Sequence, residues 1–272
     1  MSLVLNHEPY NHLVQTPLKD LRILVTNDDG VHAHGIGILE RAARSLSDDV
    51  WVVAPLLEQS GAGHSLTINN PLRLERLSET RYAVTGTPTD CVLLAVKSIF
   101  AGQKKPDLVL SGINRGSNLA EDITYSGTIA AAMEGTLLDI PSIAFSQSTY
   151  AHDDTPWPVA EAHVAGVITK LASIGWPPNV LMNVNFPPCA PEAVKGIRPC
   201  PHGRRAIGDK LVSNKDPKGR TYFWIGGDRW DQTDWRGCDI DQINDGYISV
   251  TPISMDLTDY KCLEALREGF DL

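Results

Sequence analysis

Apolar positions along the chain follow two alternating rhythms. Leu21-Arg-Ile-Leu-Val-Thr26 is a short run rich in β-branched residues, halted by Asn27-Asp28-Asp29-Gly30, and predicts a strand ending in a turn. Ile36, Leu39, Ala43 and Leu46 then fall at helical spacing, and Val50-Trp-Val-Val-Ala54 returns to the strand pattern before Pro55. Strand, helix and strand within about 30 residues form a βαβ unit, which requires a parallel sheet.

The alternation continues. Residues 66–77 and 81–85 read as an extended pair, and Thr87 opens a helix over 88–100. Strands are predicted at 108–110, 142–145 and 180–184, with an alanine-rich helix over 128–138 and an amphipathic helix over 159–174. This pattern predicts an α/β fold with a doubly wound, Rossmann-like, mostly parallel sheet.

Beyond Pro187 the composition changes. Pro188, Pro191, Pro199 and Pro201 punctuate a linker-like stretch, residues 221–226 and 246–251 read as antiparallel strands, and 257–268 as a terminal helix. The expected organisation is an extension over 1–20, a catalytic core over 21–188, and an arm over 189–272 built from a β-hairpin and helix.

Charge and composition narrow the partners. The formal net charge of -9 excludes a general binder of DNA or RNA duplexes, which needs a basic face. A small anionic substrate stays compatible, because a bound cation reverses the sign of its own site. The five cysteines are widely spaced and form no metal or redox motif, the N-terminal stretch lacks a leader pattern, and no apolar run approaches the roughly 18 residues of a membrane span. A cytoplasmic protein without membrane partners is expected.

The polar clusters fall at particular places in this pattern. Asp28 and Asp29 follow the first strand, Ser60 the second, and Asn114 the strand at 108–110. In a doubly wound sheet these loops converge on the crevice outside the carboxyl ends of the strands. Asn-Asp-Asp-Gly alone also reads as a simple turn, yet a turn does not need two adjacent carboxylates, whose repulsion calls for compensation. Asp28, Asp29, Ser60 and Asn114 together make an all-oxygen set suited to one Mg²⁺ or Mn²⁺. His32-Ala-His34 is a competing metal pair that lacks a third ligand.

Two segments suit phosphate. Ser60-Gly61-Ala62-Gly63 allows close approach of backbone N–H groups to an anion, and Ser126 or Thr128 caps a helix whose positive end can receive one. His64 either meets the phosphate, donates a proton to the leaving group, or is a hydrogen-bonded structural residue.

These residues sit in a longer ordered series that resembles the SurE-type nucleotidases. The matching stretches are Ile23-Leu-Val-Thr-Asn-Asp-Asp-Gly30, Gln59-Ser-Gly-Ala-Gly-His-Ser-Leu-Thr67, Gly86-Thr-Pro-Thr-Asp-Cys-Val92 and Pro106-Asp-Leu-Val-Leu-Ser-Gly-Ile-Asn-Arg-Gly-Ser-Asn118. Tyr125-Ser-Gly-Thr128, Asn183-Val-Asn-Phe-Pro187, Thr233-Asp-Trp235 and Gly246-Tyr-Ile-Ser-Val-Thr-Pro252 continue it. The resemblance implies a metal-dependent phosphomonoesterase that releases phosphate from nucleoside 5'-monophosphates, with 3'-monophosphates as a second class. It implies Asp28, Asp29, Ser60 and Asn114 as metal ligands, with Asp28 and Asp29 also catalytic. Gly61, His64, Asn118, Ser126, Gly127 and Thr128 are then the substrate-binding candidates. It also implies a homodimer or homotetramer joined through the C-terminal arm. Leu56-Leu57-Glu58 departs from the more polar segment usual in that family, and residues 1–20 are an unusual extension. A non-catalytic nucleotide sensor and a metal-dependent nucleotide-sugar transferase are the rival readings.

Overall fold

A computed structural model describes residues 11–149, 157–206, 211–225, 230–231 and 236–270. The first strand, β1 (Arg22–Thr26), shows why the sheet lies at the centre. Ile23 and Val25 pack into one apolar layer while Leu24, between them, packs into the other, and all three are fully buried. Strand geometry sends alternate side chains to opposite faces, so an unbroken apolar run is a strand covered on both sides. Each such side chain contributes about 1.5–3 kcal/mol by leaving water.

From β1 the chain enters α1 (His34–Leu46) and returns through β2 (Asp49–Pro55). Next come β3 (Leu74–Arg76), β4 (Arg81–Val84) and α2 (Pro88–Leu94). Thr87 caps α2 in a capping box with Asp90, as its position before Pro88 predicts, and a π-helical turn at Ala95–Ile99 follows. β5 (Leu108–Arg115), α3 (Gly127–Leu137), β6 (Ser142–Gln147), α4 (Trp157–Ile174) and β7 (Val180–Phe186) complete the alternating part. β8 (Ile197–Pro199), the hairpin β9 (Leu211–Lys215) and β10 (Thr221–Ile225), α5 (Asp239–Asn244), β11 (Ile248–Ser254) and α6 (Tyr260–Gly269) follow.

Among the described residues the main sheet has nine strands in the order β3-β4-β2-β1-β5-β6-β7-β11-β8. The six from β4 to β7 run parallel. The chain winds outward from β1 in one direction and, after crossing back, from β5 in the other. The Rossmann-like expectation is met, and the β1–β5 boundary is the topological switch point at which such sheets bind ligands.

Three details differ from the sequence reading. Only Leu74–Arg76 of the stretch 66–77 is a strand; upstream, Thr67 N–H donates to the Asp90 carboxylate at 3.1 Å, a tie to α2 that replaces ladder pairing. The helix over 88–100 is α-helical only to Leu94. The late strands at 221 and 248 do not pair with each other: β10 pairs with β9, and β11 joins the main sheet, antiparallel to β7 and parallel to β8. Ile248, Ser249, Val250 and Thr251 are all buried, which suits an interior strand.

Candidate active site

The turn after β1 is closed locally, by Asn27 Nδ2 donating to the Gly30 carbonyl at 2.9 Å. This leaves Asp28 and Asp29 at the switch point. Asp28 is 4% exposed and lies against the start of α3. The Thr128 hydroxyl donates to its Oδ1, and a Thr128 backbone hydrogen bond adds to this. Ser126 is the N-cap of α3, accepting from Ile129 N–H at 3.1 Å. The positive end of α3 therefore faces a protein carboxylate as well as the cleft.

Gly127 makes this approach possible. A Cβ at that position would lie 2.7 Å from Asp28 Cβ and 3.0 Å from Asp28 Oδ2, closer than side chains pack.

Burial raises the pKa of Asp28 despite these hydrogen bonds. Asp29 is pushed up to about 6, first by burial and then by the neighbouring Asp28 charge, while a hydrogen bond from Arg115 N–H opposes the shift. Glu58 adds a third negative charge close to both. Its Oε1 accepts from Ser60 Oγ at 2.8 Å, which leaves the Ser60 lone pairs open to another partner. No role was expected for Glu58, because an exposed glutamate on a loop carries no signal of where its carboxylate will reach.

Asp28, Ser60, Gly61, Asn114, Asn118 and Ser126 line one cleft of about 650 Å³. Asp29 is not among the lining residues; its Oδ2 accepts from Arg115 N–H at 3.3 Å. Asn114 Nδ2 donates to the Gly116 carbonyl at 2.8 Å, so its amide oxygen is the group left to accept or ligate. Asn118 is held by a buried network: its Nδ2 donates to Ser146 Oγ at 2.8 Å, and its carbonyl accepts from Asn183 Nδ2 at 2.8 Å and Asn185 Nδ2 at 3.1 Å. Thr128 and Gly127 are buried behind Asp28.

His64 is turned to α3: its Nε2 lies 3.1 Å from Glu134 Oε2, and it is not among the residues lining the cleft. Among the described residues His32-Ala-His34 gains no third ligand; the His34 ring packs 5.3 Å from the Trp157 ring. Thr233-Asp-Trp235 and residues 1–10 lie outside the described residues.

A divalent cation fits these donors. Among the described residues no three His, Cys, Asp or Glu side chains gather into a metal cluster, so a softer, zinc-like set is not formed there. The carboxylate pair, the Ser60 hydroxyl and the Asn114 amide oxygen are hard donors, and two crowded carboxylates with raised pKa values are what a cation would relieve.

The family model described as "Survival protein SurE" matches residues 23–209. A protein named "5'-nucleotidase SurE" from Paramagnetospirillum magneticum is 54% identical over 250 residues, covering 92% of this chain and 96% of its own. One of the same name from Rhodospirillum rubrum is 50% identical over 262 residues, covering 94% and 99%. The crystal structure of the SurE protein from Aquifex aeolicus superposes with a TM-score of 0.79 at 41% identity, covering 91% of this chain and 98% of that one. With a family model matched over residues 23–209 and identities of 54% and 50% sustained over nearly its whole length, this chain belongs to the SurE family.

Proposed function

We propose that this chain is a 5'-nucleotidase that hydrolyses nucleoside monophosphates to nucleoside and inorganic phosphate, using one Mg²⁺ or Mn²⁺ held by Asp28, Asp29, Ser60 and Asn114. The observation that carries this reading is one cleft at the switch point lined by the Asp28 carboxylate, the Ser60 hydroxyl and Asn114, with the Asp29 carboxylate crowded against Asp28. The names of relatives that are 54% and 50% identical support the substrate class.

A bound divalent cation supplies charge neutralisation to a phosphoryl group. The chain's own residues do the rest. Thr128 and the start of α3 fix Asp28, and Glu58 accepts the hydrogen bond of the Ser60 hydroxyl so that its lone pairs are presented. The Gly61 backbone, at φ 75°, and the Ser126 hydroxyl border the place where phosphate oxygens would lie. Asp28 or Asp29 orients or deprotonates the attacking water.

The reading extends to the assembly and compartment. The hairpin β9–β10 exposes Leu211, Val212, Phe223, Trp224 and Ile225, and no residue of α6 is buried. An isolated hairpin is marginal in water, so an apolar one suits an arm that packs on another copy, as a homodimer or homotetramer. All five cysteines are free thiols, and no helix among the described residues is long and apolar enough to cross a membrane. Both fit a cytoplasmic enzyme.

The test is phosphate release from nucleoside 5'- and 3'-monophosphates with Mg²⁺ or Mn²⁺, repeated with chelator. Release that stops with chelator and returns with metal is expected. Turnover indifferent to chelator would overturn the metal assignment, and no release from any monophosphate would favour a sensor or a transferase.

A further inference from the structure

The cleft is longer than a phosphate site requires. Its lining follows the strand tips across the sheet, from Asp28 after β1, through Asn114 on β5 and Ser148 after β6, to Pro188 after β7 and Asn244 at the end of α5, which leads into β11. Neighbouring strands lie about 4.8 Å apart, so the four steps from β1 to β11 span roughly 19 Å. A cleft of about 650 Å³ falls in the range that encloses a drug-sized molecule, far more than one phosphate group.

The two ends differ in chemistry. At the β1 end stand the carboxylates and the start of α3. At the other end Leu119 and Ile243 give a buried apolar floor. Arg205 lines the same end, and its half-buried guanidinium is held by Asp122 at 3.1 Å. Asp239 secures this wall: fully buried, it accepts from Ala120 N–H at 2.9 Å, Gly203 N–H at 2.7 Å and Ile240 N–H at 2.8 Å. Asn244 stands exposed on this rigid wall, and its amide carries both donors and an acceptor.

Resting on the nucleotidase reading, we infer that this far end is the nucleoside subsite and that Asn244 reads the edge of the nucleobase. An apolar floor and a planar guanidinium match the flat faces of a base. A carboxamide matches the mixed donor and acceptor pattern of its edge. A charged residue in that place would favour one protonation pattern only, whereas Asn244 pairs with donors and acceptors at once.

The experiment compares kcat/KM for AMP, GMP, CMP and UMP with that for p-nitrophenyl phosphate, which has no base, in the full-length metal-loaded protein. Asn244→Ala is expected to lower the nucleotide values about tenfold, the worth of one good hydrogen bond, mainly through KM and with a clearly smaller effect on p-nitrophenyl phosphate. Asn244→Asp, which keeps the shape but removes the donor, is expected to reorder the preference among the four bases. Equal losses on all five substrates, or an unchanged base order in Asn244→Asp, would overturn the inference while the nucleotidase reading stands. A wild-type protein that cleaves p-nitrophenyl phosphate but no nucleotide would overturn both.

Discussion

His64 Nε2 meets Glu134 Oε2 at 3.1 Å, across 70 residues of sequence, and joins the loop after β2 to the middle of α3. The same loop is tied at its start, where Gln59 N–H donates to the Asp28 carbonyl at 2.8 Å, and near its end, where Gly63 N–H donates to the Tyr125 carbonyl at 3.1 Å. Ser60 and Gly61 hang between these ties. The pair thus acts as a strut that sets how far they reach over the cleft.

The strut reading separates His64 from a leaving-group acid. His64→Ala is expected to reduce kcat/KM about 10- to 100-fold on nucleotides and on p-nitrophenyl phosphate alike, because a displaced Ser60 affects every substrate. His64→Gln, which can still donate to Glu134, should recover much of the loss. A variant that fails on nucleotides but keeps p-nitrophenyl phosphate, whose leaving group needs no proton, would make His64 the acid instead.

Gly127→Ala tests the contact between α3 and Asp28. The added methyl would enter at 2.7 Å from Asp28 Cβ and 3.1 Å from Pro88 Cγ, so either the helix or the aspartate has to move. Overpacking of this kind costs about 1–3 kcal/mol, and a shift of about 1 Å at a reacting group costs about 100-fold in rate. The expected result is a lower Tm together with a fall in kcat of that order. Unchanged kinetics would show that the position of Asp28 tolerates movement.

The sequence displayed the frame of this site better than its fastenings. Ile23, Leu24 and Val25 announce a strand covered on both faces, and the Asp28–Asp29 turn must then lie at its carboxyl end. Asn114 could be placed near the tip of β5 for the same reason, although the strand runs on to Arg115 through a register shift between Ser111 and Asn114. Strand partners were less legible: two-residue alternation identifies β10 and β11 as strands but says nothing of which neighbour each takes. Glu134 and Asp239 were missed because each acts across a long sequence separation, on His64 and on Ala120 and Gly203, and no spacing within one chain encodes that reach.

The hairpin gives a prediction about assembly. Phe223 and Trp224, 62% and 68% exposed, are adjacent on β10 and so point to opposite faces of the ribbon. An arm that embraces a second copy would bury at least one face. Phe223→Ser combined with Trp224→Ser is expected to shift the mass measured by light scattering on a sizing column from dimer or tetramer towards monomer. The main sheet should keep its far-ultraviolet circular dichroism. A wild-type protein that runs as a monomer at micromolar concentration would end the reading of an arm that packs on a second copy.

Asp29 yields the pH prediction, and its sign follows from linkage. In the cation-free folded chain its carboxyl holds a proton up to about pH 6, whereas in the unfolded chain it releases it near 3.8. The folded state therefore binds more protons between these values, and the stability from this source is present below about 4 and is lost as pH rises through 6. Above that the charge stands beside Asp28 with burial against it. A divalent cation restores the balance by favouring the ionised form of both aspartates. The gap in Tm between Mn²⁺-loaded and chelated protein is therefore expected to widen from pH 5 to pH 7.5, and thermal melts across that range measure it directly. Asp29→Asn removes the titrating group, so in that variant the chelated protein should lose less Tm over the same interval. A gap that stays constant or narrows with rising pH would mean that the cation does not rest on Asp29.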